Sequence, residues 1–357
     1  MYNTNKSYFS KSLLHWYDSN KRDLPWRKTN DLYKIWLSEV MLQQTRVDTV
    51  VPYYLQWVEK YKSIRSVAKA DYQKLLKLWE GLGYYSRCRN FHKACIITAN
   101  DYDGEIPSDY LKFRALPGVG DYIAAAVFSI GLKQTYPAID GNVKRVMARV
   151  LRIKNITKRN KKRIKNTLFE WMEPERPGDI NQALMDLANR ICRVDHAYCS
   201  TCPIDEICMA EKMSIPESYP AKVKKKVTPH KEIVAGIIWQ GEKFLITKRP
   251  ENALLGGLWE LPGGEIESSE TPIGALRRQI KEECDIDINI GKKVGYVKHA
   301  YSHFKITQTL FQCQTQESVK SMNKEYRWIT PAEVNNYPFP KSNHKLFNIL
   351  NSDGWNV

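Results

Sequence analysis

Four cysteines, Cys192, Cys199, Cys202 and Cys208, are separated by six, two and five residues. Such tight spacing lets one short loop wrap a single centre, and four thiolates around one centre mean tetrahedral zinc or an iron–sulfur cluster. Two carboxylates stand out for a different chemistry. Glu39 lies on the otherwise apolar, aromatic-rich stretch Leu32–Gln44, where burial would raise its pKa and keep it protonated, as a general acid requires. Asp140 follows an apolar stretch and opens a helix at Gly141, a place where a carboxylate stays ionised. Taken singly, Glu39 reads better as a helix-surface carboxylate and Asp140 as an N-cap. A third feature is Leu116-Pro117-Gly118-Val119-Gly120 between two helical stretches. Gly118 and Gly120 let backbone approach a phosphate, and the following helix offers free N–H groups and the positive end of its dipole. Such a loop grips a nucleic-acid backbone without reading its sequence.

The elements that must position these groups fall into two grammars. Up to about residue 212 the pattern is helical, with amphipathic stretches at Leu32–Gln44, Ser63–Glu80, Ser108–Arg114, Tyr122–Gly131 and Asn181–Ile191. Residues 213–231 lack apolar periodicity and carry the charge run Lys222-Val223-Lys224-Lys225-Lys226, as an interdomain linker would. From residue 232 the pattern is α+β: a hairpin from Ile233–Trp239 and Phe244–Lys248, a helix at Thr271–Glu283, and strands at Val294–Tyr301, Lys305–Gln312 and Tyr326–Ile329. The expected architecture is therefore multidomain, with all-α domains at 1–212 and a compact α+β domain at 232–357. Lys and Arg total 55 against 39 Asp and Glu, a net charge of +16, which points to a polyanionic partner. No apolar run reaches the roughly 20 residues of a membrane helix, and Met1–Ser10 has no signal-peptide character. A cytoplasmic protein with reduced thiols is expected, and Cys88, Cys95, Cys284 and Cys313, which lack ligand spacing, are expected to be packed thiols.

The order of these motifs carries a resemblance. Leu24-Pro25-Trp26-Arg27, Trp36–Thr45, Gly81-Leu82-Gly83-Tyr84-Tyr85, Leu116–Gly120, Ile139-Asp140-Gly141-Asn142-Val143 and the cysteine set together resemble the helix–hairpin–helix DNA glycosylases, and among them the adenine-excising branch. The resemblance covers nearly the whole chain. It implies excision of adenine mispaired with 8-oxoguanine or guanine in double-stranded DNA, with a 4Fe-4S cluster on the four cysteines and Arg193 and Lys212 flanking a phosphate-binding loop. Glu39 would protonate the adenine and later activate water. Asp140, with Asn142 beside it, would stabilise or bond to the sugar cation. Related glycosylase–lyases carry a Schiff-base lysine at the position of Tyr122. Tyrosine cannot form one, so the implied enzyme is monofunctional, with Tyr122 hydrogen-bonded to the aspartate. The target base must be extruded from the duplex. Tyr84 matches an intercalating position and Leu42 a wedge position. Gln44, Thr45 and Leu82 match contacts to the oxidised guanine, and Arg22, Trp26, Arg27 and Gln182 match the adenine pocket.

Residues 232–357 resemble a Nudix fold, whose box is represented by Gly264, Glu270, Arg278, Gln279, Ile280, Glu282, Glu283, Asp285 and Ile286. Gln279 replaces a metal-binding glutamate and Asp285 a glycine; a neutral amide is a poor ligand, so nucleotide hydrolysis is not expected. Tyr301-Ser302-His303 matches a recognition loop for the oxidised guanine. Three competing readings are a pyrimidine glycosylase–lyase, disfavoured by Tyr122; a nucleotide-sanitising Nudix hydrolase, disfavoured by Gln279; and a non-catalytic damage binder, disfavoured by Glu39 with Asp140. A monomer is the default expectation.

Overall fold

The structure is a computed structural model and describes residues 2–222, 227–301, 303–317, 319 and 324–355. Its helical part runs α1 (Tyr2–Asn20), α2 (Leu32–Leu42), α3 (Val47–Lys60), α4 (Ile64–Ala68), α5 (Tyr72–Trp79), α6 (Ser86–Asp101), α7 (Tyr110–Arg114), α8 (Asp121–Gly131), α9 (Gly141–Val150), α10 (Lys158–Trp171) and α11 (Pro177–Arg190). The chain divides into two compact units. One comprises Met1–Lys69 with Asn90–Lys224, the other Ala70–Arg89 with Lys225–Val357.

In the first unit α2 is buried around nearly its whole circumference, from Tyr33 through Met41. Its aromatic rings build the surrounding core. Trp36 packs edge-on against Phe91 and Phe113, and Tyr33 donates to the Tyr61 carbonyl while accepting from Trp57 Nε1. The alanine run Ala124–Ala126 lets α8 lie close to α2. At Gly178 of α11 a Cβ would stand 2.6 Å from the Ile130 Cα, so only glycine permits that approach of α11 to the end of α8. A second core joins Phe9 and Leu13 of α1, Val146 and Met147 of α9, Ile164 and Leu168 of α10, and Leu184 and Leu187 of α11 to Cys192, Ile204 and Cys208. The cysteine loop is thus one wall of a hydrophobic core. The stretch Ser63–Glu80, expected as one helix, is two. Ser63 caps α4 with a capping box, and Asp71 caps α5 by accepting from Gln73 N. The N-terminal helices α1, α3 and α6 and the basic α10 carry mixed patterns that the apolar periodicity alone does not single out.

The second unit holds a mixed sheet of β1 (His230–Gln240), β2 (Lys243–Lys248), β3 (Trp259–Glu260), β4 (Gly263–Glu265), β5 (Asn289–Ala300), β6 (Lys305–Gln314) and β7 (Tyr326–Ile329), with α12 (Pro272–Cys284) and α13 (Lys341–Ser352). The strand order is β3-β2-β1-β6-β5, with β4 on β1 and β7 on β2; β1 and β6 are parallel. The hairpin turns at Gly241-Glu242, with Gly241 at φ +62 as a two-residue turn demands. Along β1, Val234 and Ile238 face the core that contains Leu276 and Ile280 of α12. Ala235, Ile237 and Trp239 face the core that contains Leu346 and Phe347 of α13. A strand covered on both faces reads as a continuous apolar run, which is how the sequence 233–239 looks. Helix α13 carries too little periodic signal to be read beforehand.

Candidate active site

Glu39 sits in the third turn of α2 with 5 % of its surface exposed. Its Oε2 accepts a 2.7 Å hydrogen bond from the Tyr122 hydroxyl of α8. Burial pushes the Glu39 carboxyl up to about 7; the Tyr122 bond and the Arg27 charge pull it down, and the nearby Asp140 charge pushes it further up. The Tyr122 phenol is held well above its usual range by burial and by Glu39. The partner of Tyr122 is therefore Glu39, not the aspartate expected from the resemblance. The close packing of α8 on α2 sets that partner, and spacing along the chain does not reveal it.

Asp140 is the N-cap of α9. Its Oδ1 accepts from Val143 N at 2.7 Å and its Oδ2 from Asn142 Nδ2 at 2.9 Å, partners suited to a negative charge at a helix start. The cap and the catalytic reading are thus compatible. Asn142 is oriented in turn by Arg145, whose Nη1 donates to Asn142 Oδ1 at 3.1 Å. The same guanidinium donates to the Cys192 and Ala188 carbonyls, each at 2.9 Å. One arginine therefore ties the aspartate's neighbour to the backbone of a cysteine in the metal-type loop. The loop ahead of Asp140 is fixed by buried Asn181, which accepts from Ala138 N and donates to the Tyr136 carbonyl.

Around the carboxylates stand Arg22 and Arg27, both paired to the fully buried Asp186 of α11 at 2.9 and 2.7 Å. Trp26 is buried and packs edge-on to Tyr54. Gln182 is half-buried and lies one helical turn before Asp186, with Met185 on the same face; Met185 Sδ is 3.6 Å from the Tyr122 hydroxyl. Met185, Asp186, Arg145 and Asn181 are additions that the sequence reading missed. Asp186 had a signal of the same kind as Glu39, a lone carboxylate inside the apolar run Ala183–Ala188.

In the same unit Leu42 ends α2 half-buried, Thr45 is half-buried, and exposed Gln44 holds φ +57. A glutamine in the left-handed region costs on the order of 1 kcal/mol, a strain that points to function. In the hairpin between α7 and α8, Leu116 and Val119 are buried. Gly118 has φ +76 and no room for a Cβ, which would lie 2.8 Å from Asn90 Cβ; Gly120 is the N-cap of α8. In the second unit Leu82 is buried, and half-buried Tyr84 holds φ +48. Buried Arg87 braces that loop by donating to the Leu82 and Gly83 carbonyls, and its pKa falls to about 10 through burial.

The four cysteines line one cavity, with Val146, Leu187, Ile191 and Ile204 as its apolar wall. Burial pushes the Cys202 thiol up to about 12 and raises Cys199 and Cys208 too. Arg149, 2 % exposed, donates to Cys192 Sγ at 3.1 Å and to the Arg193 carbonyl at 2.7 Å, and forms no salt bridge among the described residues. A buried cation aimed at a thiol, in a pocket of four sulfurs, fits an anionic thiolate-bound centre. Among the described residues no three His, Cys, Asp or Glu side chains converge closely enough to grip one ion. Arg193 and Lys212 are exposed beside the loop.

In the α+β domain the box carboxylates are taken up by cations of the chain itself. Arg278 binds Glu270 and Glu282, and Lys324 Nζ lies 2.5 Å from Glu283. The Gln279 amide fills the space against Gly264, where a Cβ would come within 2.5 Å of it. His303 is exposed in a bend, Tyr301 is half-buried, and Ser302 lies outside the described residues.

The chain resembles known proteins in both parts. Residues 37–174 match the HhH-GPD superfamily base excision DNA repair protein family, and residues 234–348 match the NUDIX domain family. A solved thermostable thymine-DNA glycosylase superposes with a TM-score of 0.55 at 26 % identity, covering 59 % of this chain and 98 % of that one. The molecule is therefore a base excision DNA repair protein of the helix–hairpin–helix class with a Nudix-like C-terminal domain. The human adenine DNA glycosylase is 30 % identical over 96 % of this chain and 73 % of its own length; that of Schizosaccharomyces pombe is 32 % identical over 91 % and 86 %. The chain belongs to the adenine DNA glycosylase family, a family of hydrolases. No helix among the described residues is long and apolar enough to cross a membrane.

Proposed function

We propose that this enzyme excises adenine opposite 8-oxoguanine, or guanine, in duplex DNA by monofunctional hydrolysis, leaving an abasic site. The observation that carries the reading is Glu39: a buried carboxyl with a pKa near 7, hydrogen-bonded to Tyr122 and within reach of the Asp140 charge. Protonated Glu39 donates its proton to the ring of the extruded adenine. The C1′–N9 bond then breaks with its electron pair going to the base, and the sugar is left as an oxocarbenium-like cation. Asp140, held by Val143 N and Asn142, faces that cation with a carboxylate. Glu39, now ionised, takes a proton from the water that adds to C1′. Tyr122 has no amine, so no Schiff base forms and the strand is not cut by the enzyme. Arg22, Arg27, Trp26 and Gln182 shape the adenine pocket.

Gly118 and Gly120 hold the backbone, and Leu42, Gln44, Thr45, Leu82 and Tyr84 are assigned to the mispair and its opened stack. Tyr301, Ser302 and His303 are assigned to the oxidised guanine. Cys192, Cys199, Cys202 and Cys208 would hold a 4Fe-4S cluster, which supplies a rigid, charged core to the phosphate-binding loop. The functional units on this reading are residues 1–212, a linker at 213–231 and the recognition domain at 232–357.

The test is an assay of purified protein on duplexes carrying adenine opposite 8-oxoguanine, on duplexes carrying thymine glycol, and on oxidised nucleoside triphosphates. Strand breakage at adenine only after alkali is the expected result. Breakage without alkali, or triphosphate hydrolysis, overturns the reading.

A further inference from the structure

The start of α13 ties together two loops that are both assigned to the mispair. Ser342, Asn343, His344 and Lys345 each make a side-chain hydrogen bond to a residue outside the helix. Ser342 Oγ lies 3.2 Å from the Tyr301 hydroxyl, just past the end of β5. Asn343 Oδ1 accepts from Leu261 N at 3.0 Å, and Lys345 Nζ donates to the Lys298 carbonyl at 2.8 Å, near the end of β5. His344 Nε2 donates to Glu80 Oε1 at 2.6 Å.

Glu80 closes α5 and directly precedes Gly81-Leu82-Gly83-Tyr84. It accepts two further bonds, from Phe339 N at 2.6 Å and Lys77 Nζ at 2.7 Å. Burial alone would raise its pKa, but the bonds from His344, Lys77 and Phe339 N hold the carboxyl below its usual range. Helix α5 is fixed at two more points. Gln73 donates to the Gly257 carbonyl and accepts from Trp259 Nε1, and Lys77 donates to the Tyr337 carbonyl. Gly81, Gly83 and Tyr84 all have positive φ, so the loop that follows is set by where Glu80 is held and by the Arg87 brace.

We infer that His344 is a positioning residue which couples recognition of the oxidised guanine at Tyr301 to the seating of Leu82 and Tyr84. A shift of Tyr301 on contact with the lesion moves Ser342, and a turn of helix is stiff enough to carry that movement to His344, two residues on, and so to Glu80. His344 touches no substrate; it acts through Glu80. This inference rests on the assignment of both loops made above.

The full-length, cluster-loaded enzyme is compared with its His344→Ala, His344→Gln and Ser342→Ala variants. Single-turnover excision is measured for adenine opposite 8-oxoguanine and for adenine opposite guanine, and the ratio of the two rates is the readout. The expected result is a ratio lowered about tenfold in His344→Ala and in Ser342→Ala, the scale of one lost charge-assisted hydrogen bond. His344→Gln retains an N–H donor for Glu80 and restores most of the ratio. An unchanged ratio in His344→Ala overturns the inference. So does an equal loss at both mispairs, which marks a purely structural residue. A wild-type enzyme with equal rates on both mispairs fails earlier, and that failure belongs to the functional reading.

Discussion

Glu39 is kept half-protonated near neutrality by its surroundings, and that has opposite effects on activity and on stability. Excision needs the acid form, so its rate should fall as pH rises through about 7. Glu39→Gln should lower excision at least about a hundredfold while mispair binding, measured by gel shift, persists; loss of binding would mark Glu39 as structural. The stability sign follows from linkage. The folded carboxyl binds its proton more tightly than the unfolded one, whose pKa is 4.5, so ionising it on going from acid to pH 8 destabilises the native state. Glu39→Gln should therefore gain up to about 3 kcal/mol over wild type at pH 8 and little at pH 4, by urea denaturation; an equal difference at both pH values would contradict a buried, shifted carboxyl. The two acids were legible because each is a lone charge in an apolar setting. The Tyr122–Glu39 bond and the Arg145 link to Cys192 were not, since each joins residues far apart in the chain. Asp186 is a lone carboxylate in an apolar run as well, but a buried aspartate on α11 explains itself only once Arg22 and Arg27 arrive from the segment that follows α1.

At the level of elements, α12 lies in the Nudix-like domain and its carboxylates are held by the chain's own cations. Lys324 places an ammonium on Glu283, where a catalytic Nudix helix offers its carboxylates to a divalent ion, and Gln279 turns its amide against Gly264. Lys324→Met should leave Glu283 without its partner and cost about 2 kcal/mol at neutral pH, the pair being mostly but not wholly buried. Magnesium should raise the melting temperature of that variant and leave wild type unmoved; a wild-type shift with magnesium would mean that the lysine does not fill the cation's place. The elements themselves were readable where one periodicity ran unbroken, as in β7 and α12. They were misjudged at Ser63–Glu80, where the capping side chains of Ser63 and Asp71 cut one amphipathic stripe into two helices. Helix α13 was missed because its face is set by contacts with β5 and by the ties of its first turn.

Over the whole molecule, positive charge is spread on exposed surface. Helix α10 alone exposes Lys158, Arg159, Lys161, Lys162, Arg163 and Lys165, none in a salt bridge among the described residues. Binding to undamaged duplex should weaken steeply with salt, log K falling about 0.9 per phosphate neutralised; a flat salt titration would remove nucleic acid as the reason for the +16 charge. Topology has a consequence of its own. The stretch Ala70–Arg89 leaves the first unit, joins the second and returns, so three covalent crossings connect them. Cutting a protease site engineered between residues 222 and 227 should then yield two pieces that still co-elute on a sizing column, because the N-terminal piece carries the helix that Trp259, Tyr337 and His344 clothe. Their separation would show that those ties are weak. The α+β unit borrows a helix from the N-terminal half of the sequence: it is no detachable tag, and a truncation made between residues 222 and 227 would strip that helix of its cover.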